Sequence, residues 1–162
     1  MLEIRPAIKD DARTLMLVHR EAVFAKAPDF YDKARLEVWS PGATPERVAQ
    51  IERDITDPNH IVLVAETDNQ IIGFANASPS KNKLFQLYVK PNSIGNVGCT
   101  LLAEIEKQVF KAGAEYLEFD SSLNAEAFYK ANGYWEVGRS DYVSNNGDRS
   151  AAVQMKKLMP TS

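Results

Sequence analysis

A mixed β-sheet with helices on both faces, an α/β (α+β) architecture, is what this sequence predicts, and three observations predict it. Two runs rich in β-branched residues, 61–66 and 70–77, are separated by Thr67-Asp68-Asn69, a spacing that suits an antiparallel hairpin. A third strong strand, 84–89, is followed by a loop, a helical stripe and another strand, the order of a crossover that joins parallel strands. Helical stripes lie both before the hairpin and after it, so both faces of the sheet have a cover. The chain has 162 residues, the size of a single domain spanning 1–162, and such a domain buries roughly 70% of its unfolded surface.

From the start, residues 3–7 read as a short strand, and Asp10 is placed to cap a helix in which Ala12, Leu15, Met16, His19 and Val23 recur at helical spacing. His19 falls on the apolar face, as a core or cleft-edge histidine or as a catalytic one. Residues 30–39 predict a second short helix, ended by Ser40-Pro41-Gly42. Thr44-Pro45-Glu46 opens a third with a cap residue and a proline in the first turn, and Val48, Ile51 and Ile55 mark its buried side. After the hairpin, 78–82 is loop and 84–89 strand. The loop 90–97 leads into a helix with Leu101, Leu102, Ile105 and Val109 on one face, stopped by Gly113. Strand 116–120 follows, then a short helix 124–132 closed by Gly133, and a last pair of strands, 134–143 and 151–158, around Asn145-Asn146-Gly147.

Composition narrows the function. Hydrophobic residues make up 44% and charged residues 25%, ordinary for a globular protein. The first residues carry charges at Glu3 and Arg5, and no run is long and apolar enough to cross a bilayer, so a cytoplasmic protein without a membrane partner is expected. Two histidines and one cysteine argue against a protein-built metal site. Cys99, as a lone thiol, reads as a small core residue. A net charge of −3 without a basic block argues against nucleic acid and suits a cationic or neutral small partner.

Two segments carry chemistry. Leu87-Tyr88-Val89-Lys90-Pro91-Asn92-Ser93-Ile94-Gly95-Asn96-Val97-Gly98-Cys99 is strand, loop and helix start, with small residues where backbone N–H groups could cradle a pyrophosphate or simply make a turn. Asp120-Ser121-Ser122-Leu123-Asn124-Ala125-Glu126-Ala127-Phe128-Tyr129-Lys130-Ala131-Asn132-Gly133-Tyr134 follows the next strand. Found in this order with an amphipathic helix between them, the two resemble the GCN5-related N-acetyltransferase (GNAT) superfamily, and the resemblance extends over nearly the whole chain. It implies a mostly antiparallel sheet with splayed parallel strands, acetyl-CoA as cosubstrate, no metal, and an amine of a small molecule or peptide as acceptor, with a homodimer as a further possibility for partners.

The resemblance carries roles to particular residues. Backbone donors near Leu87, Tyr88 and Val89 would bind the cofactor and polarise the thioester carbonyl, the splayed strands around Val89 and Phe119 would hold the pantetheine arm, and Ser93, Gly95, Asn96, Val97, Gly98 and Cys99 the pyrophosphate, with Asn124 and Tyr129 near the sulfur and Phe128 a further cofactor contact. Tyr129 matches the family's catalytic tyrosine, an acid for the departing thiolate, while the alternative is an aromatic pair with Phe128 that closes the helix onto the sheet. Tyr31, Trp39 and Asn76 would line the acceptor pocket, or in the case of the aromatics form core. The family loop reads Q/R-x-x-G-x-G/A, whereas here Ser93 stands for the basic or amide residue and Asn96 for the middle glycine, and the loop is one residue short. Asn96 tolerates left-handed backbone and is expected to keep the turn. Family members that place a glutamate in the strand before the loop have no counterpart in 83–89. Glu118 and Asp120, acids in a strand expected to be buried on both sides, are the candidate bases, or salt-paired carboxylates. A non-catalytic acyl-CoA-binding or regulatory module on the same fold is the alternative reading, and a structural domain without ligand a third.

Overall fold

The computed structural model describes residues 1–143 and 149–161. Its strands are β1 (Glu3–Pro6), β2 (Ile61–Thr67), β3 (Gln70–Ser78), β4 (Lys83–Val89), β5 (Tyr116–Ser122), β6 (Trp135–Val143) and β7 (Arg149–Leu158), and they form one sheet in the order β1-β2-β3-β4-β5-β7-β6. Every pairing is antiparallel except β4 with β5. The helices are α1 (Ala12–Lys26), α2 (Lys33–Trp39), α3 (Pro45–Thr56), α4 (Val97–Lys111) and α5 (Glu126–Ala131). The turn expected at Asn145-Asn146-Gly147 lies outside the described residues.

Local chemistry sets the element ends, in places differently from the expectation. Asp10 does not cap α1. A 3-10 turn, Lys9–Asp11, precedes the helix, and the Asp11 carboxylate accepts from the Ile8 N–H at 2.8 Å while pairing with Arg5 at 2.9 Å. The helix expected over 30–39 begins only at Lys33, because Asp32 Oδ1 accepts the Arg35 N–H at 2.8 Å and stops the helix from reaching back to Phe30. Thr44 caps α3 as expected, with Pro45 in its first turn. The β2–β3 hairpin turns on two residues, Asp68 and Asn69, with φ of 50° and 61°, the left-handed pair that a tight hairpin requires.

The two sheet faces are covered by different helices. α1 and α3 bury Leu15, Met16, Val18 and Ile51 against Val62, Val64 and Phe74. α4 buries Leu101, Leu102, Ile105 and Val109 on the other face, against Leu63, Ala75, Leu84, Leu117 and Phe119. Each such fully buried side chain contributes roughly 1.5–3 kcal/mol. Neither the α1/α3 cluster nor the neighbouring cluster of Val23, Ala27 and Leu36 contains a β5 residue. β5 is therefore covered on one face only, not on both.

The feature that positions the site is in β4. Asn76 pairs with Gln86 and Ala77 with Leu84, so Phe85 is the extra residue of a β-bulge. Such a bulge bends a strand, and just before it the parallel ladder to β5 ends, at the single pair Lys83↔Glu118. Beyond that pair β4 and β5 diverge.

Candidate active site

A cleft of about 800 Å³ opens where the two strands part. Leu84 to Val89 and Phe119 to Ser122 line its floor, α1 and α2 supply one wall, and Asn124, Phe128 and Tyr129 the other. Along the β5 side of β4, backbone N–H and C=O groups have no ladder partner after Lys83, and such groups require one.

At the C-terminal end of β4 the chain enters loop 90–96 and then α4. Gly95 has φ +87° with nothing within 4 Å of a Cβ placed there, and Asn92 has φ 62°. Asn96 does not take the left-handed conformation expected of it, having φ −91° and ψ 54°, so the turn is made by its neighbours Asn92 and Gly95. Asn96 makes no side-chain cap to α4, which leaves the first-turn N–H groups of a 15-residue helix available to an anion. Ser93 Oγ donates to Lys90 O at 2.8 Å and braces the loop. Cys99 is exposed in the first turn of α4, so it is not a core residue. A Cβ at Gly98 would sit 3.3 Å from the Phe128 ring, so a glycine there lets α4 and α5 close on the same end of the cleft.

On the α5 side, Asn124 lines the cleft and its buried Oδ1 has no hydrogen-bond partner among the described residues. Tyr129 is 6% exposed, its ring 4.6 Å from that of Phe119 and 5.2 Å from that of Phe128. Burial, with the nearby Tyr88, holds its phenol well above the ordinary range, so it is protonated at any working pH. A phenol near its ordinary pKa would be closely matched to a thiol, and Tyr129 is not such a phenol. A thiolate in the same cleft is desolvated too, so its pKa moves in the same direction and the mismatch narrows.

The two candidate bases separate. Asp120 is the one carboxylate among the described residues that line the cleft, exposed and accepting from Ser140 Oγ at 3.4 Å. Glu118 does not line the cleft. Its side chain, 42% exposed, pairs with Lys156 at 3.8 Å on the uncovered face of β5, which removes it from the candidate bases. Asn76 is also placed elsewhere. Its amide donates to Asp54 Oδ2 at 2.9 Å and to Gln86 Oε1 at 3.1 Å, and its Oδ1 meets His60 Nδ1 at 2.9 Å. It orients Gln86, which does line the cleft, and has no lining role itself.

The acceptor wall is aromatic, with Trp39 between Tyr31 at 5.7 Å and Tyr88 at 6.5 Å. The Tyr31 hydroxyl donates to Ala151 O at 2.8 Å and accepts from the Leu123 N–H at 3.0 Å. Tyr31 thus ties the segment after α1 to β7, and only its ring is left to a substrate. His19 is 3% exposed with Nδ1 2.6 Å from Ser40 Oγ, and burial beside Arg47 pushes its pKa down to about 3. It is neutral at working pH and too weak a base for general-base duty. Sequence reasoning missed Lys26, Arg35 and Arg47, which also line the cleft and make its charge opposite to that of the chain. Their spacing follows no motif; only the packing of α1, α2 and α3 brings them together.

These features define a mixed α/β fold whose one parallel strand pair splays apart to open a cleft. Residues 26–159 match the acetyltransferase (GNAT) domain model, and the chain belongs to the GNAT acetyltransferase family. It is similar to a GCN5-related N-acetyltransferase from Rhodopseudomonas palustris, at 27% identity and a TM-score of 0.86 over 97% of this chain and 95% of that one. It is also similar to the PaiA N-acetyltransferase from Thermoplasma acidophilum, whose crystal structure contains coenzyme A, at 26% identity and a TM-score of 0.78 over 98% and 99% of the chains. A ribosomal-protein-alanine N-acetyltransferase from Brucella melitensis shares the fold at 24% identity and a TM-score of 0.72 over 97% and 99%. Comparison with curated proteins returns no significant match. No described helix is long and apolar enough to cross a membrane, and the described residues contain no metal-binding cluster.

Proposed function

We propose that the protein is an acetyl-CoA-dependent N-acetyltransferase, one domain spanning the chain and acting in the cytoplasm on a primary amine of a small molecule or peptide. The observation that carries this reading is the open β5-side edge of β4, whose backbone groups have no ladder partner after Lys83, in a cleft also lined by Asn124, whose buried Oδ1 has no partner among the described residues. A pantetheine arm is a chain of amides, and it fits because it offers both donors and acceptors to such an edge. Bound acetyl-CoA would supply an activated acyl thioester.

The protein's residues divide the remaining work. Leu87, Tyr88 and Val89 hold the arm by their backbone, and residues 93–99 with the start of α4 hold the pyrophosphate. Phe128 closes on Gly98 and excludes water at the junction. Tyr129 keeps a proton on Oη for the thiolate that leaves. Asp120 takes the amine's proton, directly or through a water. Positioning supplies most of the acceleration.

The departures at Ser93 and Asn96 favour a second reading, an acyl-CoA-binding module without turnover. A thiol-release assay with acetyl-CoA and a panel of amines and peptides separates the two: release that depends on the amine supports the enzyme, and binding of acetyl-CoA without release by any amine supports the module.

A further inference from the structure

We propose that the acceptor of this cleft carries an anionic group, a carboxylate or a phosphorus oxyanion, held by the Arg47 guanidinium with the Gln86 side-chain amide beside it. The inference rests on the acetyltransferase reading for the identity of the ligand as acceptor; the anion site stands on its own geometry.

Arg47 lies in the first turn of α3, half-buried and lining the cleft. Its Nη1 donates to Trp39 O at 2.7 Å, at the C-terminal end of α2, and this is one of the five donors a guanidinium carries. Arg20 supplies the internal control. It serves the same helix end through Ser40 O at 2.6 Å, yet also pairs with the Glu37 carboxylate at 3.0 Å. Arg47 has no carboxylate partner among the described residues. Burial lowers its proton affinity, the direction expected of a cation losing water without a counter-charge. A desolvated cation that faces a cavity and lacks an anion is completed by one from the ligand.

Gln86 is held in a fixed sense by a chain that starts at Asp54. The carboxylate only accepts, so the Asn76 nitrogen donates to it, and the Gln86 atom meeting that same nitrogen is its oxygen. The Gln86 NH₂ is left as a donor, and it has no partner among the described residues. Gln86 and Tyr88 are two apart on β4 and share a face, the one on which Tyr88 packs against the α1/α3 cluster, and Arg47 lies on α3. The two donor groups thus lie on the same side of the cleft.

That side is not where the cofactor phosphates would lie. α3 packs on the β2–β3 face that buries Val64 and Phe74, whereas α4 and the loop before it belong to the opposite face. The cleft lining, with Lys26, Arg35 and Arg47 against Asp120, is also wrong in sign for a polycation.

Calorimetric titration of the CoA-saturated protein with size-matched ligands tests the inference: amino acids and aminophosphonates against the corresponding carboxamides and alkylamines. The acids bind about tenfold or more tighter than their neutral partners, and Arg47→Gln abolishes the preference while leaving CoA affinity unchanged. Equal affinities within each pair, no binding by any acid, or a preference that survives Arg47→Gln would overturn it. So would an equal loss of CoA affinity in that variant, which would assign Arg47 to the cofactor. If Arg47→Gln does not fold, the wild-type pairs decide alone. Acids that bind but release no thiol from acetyl-CoA would sink the acetyltransferase reading and leave the anion site standing.

Discussion

Along its β3 edge β4 is paired from Ser78↔Lys83 to Gly73↔Val89, whereas along its β5 edge the ladder ends at Lys83↔Glu118. The same seven residues therefore belong to two regions of different kind. On the β3 side the sheet is sandwiched between α1/α3 and α4, and Leu63, Val64, Ala65, Phe74, Ala75 and Ala77 are fully buried. On the β5 side the backbone groups of β4 face a cleft. An unmet edge is normally a liability that proteins cover or pair. Its retention here, beside a buried amide oxygen without a donor, separates the part of the molecule that maintains the fold from the part that binds.

If that separation is real, substitutions on the open side change turnover and spare stability. Tyr129→Phe keeps the ring that packs on Phe119 and removes only the hydroxyl. Steady-state kinetics should show kcat reduced by roughly 10²–10⁴-fold, with acetyl-CoA affinity and Tm nearly unchanged. Turnover at the wild-type rate would return Tyr129 to the packing role.

On the closed side the pattern inverts. Phe74→Ala removes a fully buried ring between β3 and the α1/α3 layer and should cost about 3–5 kcal/mol in denaturant unfolding. Acetyl-CoA affinity of the folded fraction should stay the same. A selective loss of affinity would erase the distinction between the two sides.

His19 sharpens the comparison through pH. Its folded pKa, about 3, lies below the unfolded value near 6.5, so the unfolded chain binds the proton first. The stability it contributes is fully present above pH 6.5 and is lost as pH falls from there toward 3, by about 1 kcal/mol per unit. Urea titrations between pH 7 and 4.5 should show this slope, and His19→Gln should flatten it. An unchanged slope would mean that carboxylates alone govern the acid limb.

The smallest effect concerns Asn124. Replacing it with alanine removes a buried acceptor that lacks a donor, so the free protein should lose no stability. Acetyl-CoA affinity should fall by about 1 kcal/mol, the worth of one hydrogen bond, measured by calorimetry. A variant that loses stability and keeps its affinity would place the Asn124 amide in the fold rather than the site.

Much of the closed side was legible in the sequence, because periodicity reports burial. Val62, Val64, Leu101 and Ile105 were visible as parts of strands or stripes, and Thr44-Pro45 and Asp68-Asn69 carry their caps and turns in their chemistry. The open side was legible only through the paired motifs around Gly98 and Tyr129. What stayed hidden depends on which elements meet. The central place of its strand predicts a buried Glu118, but no helix covers that face and the side chain is exposed. The burial tendency of cysteine predicts a core Cys99, whereas the first turn of α4 leaves it exposed. Asn92 rather than Asn96 takes the left-handed backbone, and residue type alone does not distinguish the two asparagines. Arg47 and Gln86 come together across the α3–β4 packing, and no linear spacing records that.

Amide hydrogen exchange with and without acetyl-CoA tests the central claim most directly. The open-edge account predicts new protection at residues 85–89 and 93–99, with β1 and β2 unchanged. Acetyl-CoA that binds while leaving 85–89 exchanging as in the free protein, or that does not bind at all, would contradict it.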